Sequence, residues 1–188
     1  MKKYLAAAAV VAMFASVPAH AAIFIAGSTS AEDCFRAAQS GASSVKALAS
    51  CNMALTSDLS FDARTNTMIN RASVQAAAGN NEAALSSYNA AIARDASHAD
   101  AYMGRGTALL RQGRYSEAKA DLTRALTMGV SDAHIAYFNR GGAEEASGDK
   151  LAAYHDYQRA RELAPDFQPA NVELARFRVN DRRIADNR

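Results

Sequence analysis

Tryptophan is absent from this sequence, and of its 3 prolines only Pro165 and Pro169 lie beyond the first twenty residues. With so few breakers between Ala19 and Ala164, the chain is free to run as helix, and its abundance of alanine favours that conformation over strand. Strong charge of either sign is also missing. Removing Lys2 and Lys3 from the 21 basic residues leaves as many as the 19 acidic ones, so there is no basic footprint for nucleic acid. Cysteine is scarce, with 2 in the chain, and these are not spaced as a C-x-x-C pair, which argues against a thiol redox enzyme. Metal-binding clusters are lacking too. His98, His134 and His155 are dispersed, and no grouped Cys, His or acidic side chains accompany them. Neither a G-x-S-x-G elbow nor a G-x-x-x-x-G-K phosphate loop occurs. The serines and threonine of Gly27-Ser28-Thr29-Ser30 read as linker and helix-cap residues, so no cofactor, catalytic residue or metal is expected and the chain is not read as an enzyme.

Long apolar runs are confined to the N-terminus. Lys2 and Lys3 precede the run Tyr4 to Val17, and Pro18-Ala19-His20-Ala21 follows, with small Ala19 and Ala21 flanking His20. Those three parts make a secretory signal over residues 1–21, cleaved after Ala21. A membrane anchor is the competing reading, but the run falls short of the ~20 residues a spanning helix needs. No cysteine stands where lipid attachment would need one. The expectation is an exported chain, periplasmic or secreted, with no membrane insertion after cleavage. In such a compartment Cys34 and Cys51 are expected to form a disulfide, the alternative being two buried thiols.

What the chain does have is a repeat. Gly79, Gly113 and Gly148 recur at spacings of 34 and 35, and their surroundings recur with them. An alanine follows each glycine five residues later (Ala84, Ala118, Ala153), and another stands seven beyond that (Ala91, Ala125, Ala160). Between the two lies a large side chain, Tyr88, Leu122 or Tyr157. A small residue, Ala72, Gly106 or Gly141, comes seven before each glycine, and Pro165 closes the third unit where Ala96 and Val130 close the others. Glycine ends a first helix, small residues let a second helix approach, and the bulky side chain fills the gap between neighbouring pairs.

This pattern resembles the tetratricopeptide repeat over residues 63–167. The resemblance implies an all-α fold in which antiparallel helix pairs stack as a short solenoid of three units, about 65–98, 99–132 and 134–167. First helices are predicted over Ala63 to Ala78, Ala99 to Gln112 and Ala133 to Ser147, and their partners over Asn81 to Asp95, Tyr115 to Met128 and Lys150 to Ala164. Residues 22–62 read as a linker and a degenerate hairpin, opened by a capping-box-like Thr29-Ala31-Glu32, turned at Gly41, with Cys51 at the position of Tyr88. Residues 168–188 read as a capping helix to Val179 and a frayed tail.

Function then follows from the surfaces such a stack presents. The resemblance implies a non-catalytic scaffold whose concave wall, lined by the first helices, receives a protein or peptide partner. Ile69, Ser73 and Ala76, then Met103, Thr107 and Leu110, then Phe138, Gly142 and Glu145 are its matching positions, with Arg111 at the rim. The same apolar residues also read as ordinary core, and both readings stand at this point. The Lys and Asn arrangement that clamps a peptide carboxylate in some relatives is missing. Each first helix also carries an arginine beside its small residue: Arg71, Arg105 and Arg140. Asp121 and Asp156 recur in the facing helices, so structural ion pairs are expected for Arg105 and Arg140, whereas Ser87 leaves Arg71 without that acid. A chain that stacks end to end on itself is the alternative to a partner-binding scaffold, an enzyme of unknown class the distant one; the oligomeric state is not legible.

Overall fold

The computed structural model describes residues 29–186, with side chains as far as Phe177. Among these residues there is no strand. Nine helices follow one another: α1 (Thr29–Gln39), α2 (Val45–Thr56), α3 (Phe61–Ala77), α4 (Asn81–Arg94), α5 (Ala99–Arg111), α6 (Tyr115–Thr127), α7 (Ala133–Ala146), α8 (Lys150–Leu163) and α9 (Gln168–Asp186). The proposed signal segment and its cleavage point lie outside the described residues. No described helix is long and apolar enough to cross a membrane.

Helix pairs form because the turns are built for it. Gly79, Gly113 and Gly148 have φ of 80°, 75° and 92°, in the left-handed region that closes a helix and reverses the chain within three residues. Gly129 is a fourth such stop, with φ 78°, at the end of α6. There Val130 N–H donates to Ala125 O at 3.1 Å, whereas α4 and α8 end without a glycine, on Asp95 and Ala164. The residue inserted for that turn accounts for the longer spacing between Gly113 and Gly148.

Each pair packs tightly because its contact positions are small. Ala84, Ala118, Ala153, Ala91, Ala125 and Ala160 are all 0% exposed. A Cβ added to Gly106 would lie 2.8 Å from Leu122 Cγ, and one on Gly141 2.9 Å from Tyr157 Cε1, so both glycines are required by close approach. Tyr88, Leu122 and Tyr157 are buried, Tyr88 against Gly104 of the next pair and Leu122 and Tyr157 against Gly106 and Gly141 of their own. One core runs from Ile69 on α3 to Ala143 on α7, with a satellite around the cysteines and another around Tyr157 and Leu174. First helices also touch one another, α3 with α5 and α5 with α7, which makes a stack rather than three separate hairpins.

Both ends differ from their sequence-based outlines. α3 starts at Phe61, ahead of Ala63, because Ser60 caps it by accepting from Ala63 N–H at 3.2 Å. In α1, the Glu32 carboxylate pairs with Arg36 one turn on. α1 and α2 form a hairpin joined by the Cys34–Cys51 disulfide, with a Cα–Cα distance of 4.7 Å and both residues 0% exposed. Val74 of α3 packs against this staple, joining the hairpin to the repeats. At the other end α9 packs on α8 through buried Ala170 and Leu174, and it remains helical to Asp186, so the frayed tail predicted from 180 onward is not observed up to that residue.

Candidate functional site

The proposed inner wall is largely closed. Ile69 and Met103 are 0% exposed, Leu110 4%, Thr107 6% and Ser73 7%, so the apolar lining expected from the sequence is core and not an open surface. Contact between successive first helices is the physical reason. A Cβ on Gly142 would meet Leu110 Cδ2 at 3.7 Å, so α5 and α7 lie against each other there. The polar members are occupied as well. Ser73 Oγ and Tyr88 OH share a buried hydrogen bond of 3.0 Å, and Asn139 Nδ2 donates to Thr107 Oγ1 at 2.9 Å. Burial pushes the Tyr88 phenol up to about 12, so it stays neutral.

Five predicted wall residues remain half-buried, Ala76 and Gly142 among them, and the other three each have a side-chain attachment. Arg111 Nη1 donates to Ala76 O at 3.2 Å, stitching the first repeat to the second. Phe138 stacks among Tyr157 and Phe167, at centroid distances of 5.5 and 5.4 Å. Glu145 accepts from Tyr157 OH at 3.1 Å and from Arg176 of α9, so it latches the cap onto the last repeat. Burial, with the Glu145 and Glu173 carboxylates beside it, holds Tyr157 neutral. Arg176 lies 31 residues from Glu145, a separation that leaves no local pattern to read.

The opposite side of the stack carries a cleft. Arg105 lies two residues from Met103 along α5, about 200° round the helix, and faces the second helices. It borders a cleft of about 390 Å³ with Leu85, Asn89, Leu109, Arg114, Glu117 and Asp121. Within it Arg105 grips Asp121 in a two-pronged pair, Nε to Oδ2 at 2.7 Å and Nη2 to Oδ1 at 2.8 Å, while Nη1 donates to Asn89 Oδ1 at 2.8 Å. Arg140 repeats the arrangement on Asp156, at 2.7 and 2.8 Å, with Nη1 on Thr123 Oγ1 at 3.2 Å. Each guanidinium also lies over a tyrosine ring one turn earlier, Tyr102 at 5.5 Å and Tyr137 at 5.3 Å. The Tyr-x-x-Arg spacing was a readable signal for this stacking. Hydrogen bonding to the aspartates raises both arginines above their ordinary range.

Arg71, the third of the series, has none of these partners. Ser87 replaces the aspartate and turns its hydroxyl to Gln75 Oε1 at 2.7 Å. Met68 stands where the tyrosines stand. The Arg71 Nε is buried with no hydrogen-bond partner, and burial lowers its guanidinium below the ordinary arginine range. Two acids on the stack are perturbed the other way. Burial pushes Glu144 up to about 7, with Asp156 adding to the effect and Arg140 opposing it. Burial also raises Asp100, against the pull of His98. Among the described residues no group of three or more His, Cys, Asp or Glu could hold a metal ion.

Comparison with known proteins agrees with this geometry. No curated protein matches the chain. The Arabidopsis OM64 TPR domain is similar at 25% identity and a TM-score of 0.59, covering 62% of this chain and 95% of that one. The second TPR domain of human RPAP3, determined in complex with the HSP70 peptide SGPTIEEVD, has 25% identity and a TM-score of 0.58, covering 63% of this chain and 98% of that domain. The crystal structure of MamA, at 19% identity and TM-score 0.61, covers 75% of this chain and 80% of its own, and supports the fold alone. The family model described as tetratricopeptide repeat matches twice, over residues 69–118 and 104–167, which together exceed half of the chain. Helix pairs, left-handed glycine turns, recurring alanines and this match lead to one conclusion: the chain belongs to the tetratricopeptide repeat family.

Proposed function

We propose that the protein is an exported, non-catalytic scaffold that binds a protein or peptide partner in the cell envelope. One observation carries the reading most of the way: a similar TPR domain, matched over 98% of its length, holds a peptide in its solved structure. The fold suits that task because a stack of helix pairs offers long, rigid walls and leaves chemistry to no particular side chain. Export is supported by the signal-like residues Lys2 to Ala21 and by a buried cystine of a kind that persists in oxidising compartments. Since Ile69 and Met103 are core, the partner engages what is left exposed: the rim around Arg111, or the outer clefts between second helices.

Two measurements test this. Cell fractionation with N-terminal sequencing should give a periplasmic or secreted chain beginning at Ala22; a cytoplasmic chain that retains Met1 contradicts export. A photo-reactive residue at exposed Ala77 should yield a discrete adduct with another protein in cells, and no adduct at all contradicts the scaffold reading.

End-to-end self-association has its own support. Leu163 and Val172 are exposed on the last helices, and Val45 and Met53 on α2 of the first hairpin, so apolar side chains are exposed on both terminal units of the stack. Sedimentation at rising concentration separates the readings: a monomer throughout excludes self-stacking.

A further inference from the structure

The three arginines of the first helices form a series in which two are paired with an acid and Arg71 is not. In repeats two and three the guanidinium is met by an aspartate from the facing helix, a tyrosine ring from the preceding turn and an oxygen from the helix before. Repeat one keeps the arginine and has lost all three. Ser87 is in place of the aspartate, Met68 in place of the ring, and exposed Asn52 of α2 stands in the register of Asn89 and Thr123. The other acid bordering the second cleft is missing too, since Ala83 takes the place of Glu117 and Asn80 that of Arg114. A half-buried cation with a buried, unsatisfied Nε is thus set among neutral residues, where a bare guanidinium is unfavourable.

We propose that Arg71 is the docking point for an aspartate or glutamate side chain of the partner, which supplies the charge that Asp121 and Asp156 supply in the later repeats. This rests on the scaffold reading above. The incoming carboxylate makes a charge-assisted bond to the half-exposed guanidinium, whose Nε lies buried behind it. Among the described residues no acid of this chain pairs with Arg71. Residues 1–28 contain no Asp or Glu, and the last acids of the sequence, Asp181 and Asp186, belong to α9, which packs on α8 at the far end of the stack. The site is on the side of the second helices, away from the inner wall, next to the stapled hairpin through Val74 one turn on.

Nitrogen-15 NMR of the arginine Nε–H groups tests the docking point directly, with N-acetyl-aspartate N-methylamide as probe. The Arg71 signal should shift saturably, and those of Arg105 and Arg140, already occupied, should not move. The asparagine counterpart of the probe should do nothing. Ser87→Asp supplies the carboxylate from within: it should move the Arg71 signal toward those of Arg105 and Arg140 without probe and abolish the response. Ser87→Asn should leave the response intact. The proposal is overturned by an Arg71 signal that does not respond, by equal shifts at exposed arginines such as Arg159, or by an undiminished response in S87D. In cells, S87D should lower the yield of the Ala77 crosslinked adduct about tenfold, the loss of one charge-assisted bond. Equal yields from wild type and S87D overturn the docking point and leave the scaffold standing. No adduct from either variant sinks the scaffold, and the Arg71 shift then decides carboxylate docking by itself. A wild-type dimer that S87D converts to monomer assigns the carboxylate to a second copy and overturns the partner assignment.

Discussion

Gly106 shows how much structure a single position can dictate. An added Cβ there meets Leu122 Cγ at 2.8 Å and Ala118 O at 3.2 Å, so part of the obstacle is backbone that cannot rotate away. Gly106→Leu should lower stability by ~1 to 3 kcal/mol or more, read as a fall in Tm; an unchanged Tm contradicts the close packing of α5 on α6. At the same scale, Glu144 predicts a pH effect. Its folded carboxyl titrates at about 7, above its unfolded value, so the folded state holds the extra proton. Stability from this group is therefore full below the unfolded value and is lost as pH rises to about 7. Because the side chain is only partly buried, the effect is on the order of 1 kcal/mol after solvent screening. Glu144→Gln should raise Tm at pH 8 and flatten the difference between pH 5.5 and 8; a variant no more stable than wild type at pH 8 argues against burial of Oε2. The ion pairs give a third test. Asp121→Ala strands Arg105, 24% exposed, and should cost about 2 kcal/mol, more than mutation of an exposed pair such as Arg159–Glu162.

Helix by helix, the repeat was legible because its signals are local and doubled. A glycine turn, an alanine five residues on and a bulky residue between two alanines define both helices of a pair and their contact, three times over. What stayed hidden depends on contacts between distant elements. Whether Met103 lines a groove or a core is set by how closely α5 meets α3 and α7, which its own helix does not encode; the structure makes it core. Glu145 looked like a wall residue because its partner, Arg176, belongs to a helix outside the repeat. The outer cleft went unread for a similar reason: its lining comes from α4, α5 and α6 together. The first hairpin offers a test at this scale. Its packing cluster is small, mostly alanine around the two cysteines, so the disulfide closing 17 residues supplies much of its order, ~3 kcal/mol by loop closure. Reductant, or Cys34→Ser with Cys51→Ser, should speed amide exchange in α1 and α2 and leave α5 to α8 protected. Uniform loss of protection would instead mean that the hairpin and the repeats unfold as one unit.

Across the whole molecule, stability passes from neighbour to neighbour, as the series of contacts from α1 to α9 requires. Rigid inner packing leaves recognition to surfaces that the stack does not use for itself, and those are the rim at Arg111 and the outer face where Arg71 has no acid beside it. Position-resolved photo-crosslinking in cells tests the account most directly, with the reactive residue placed in turn at Ala77, Ser86 and Leu163. The account predicts one and the same foreign protein attached from Ala77 and Ser86, with little from Leu163. Adducts of the chain with itself from Leu163, and none from the other two positions, would contradict it.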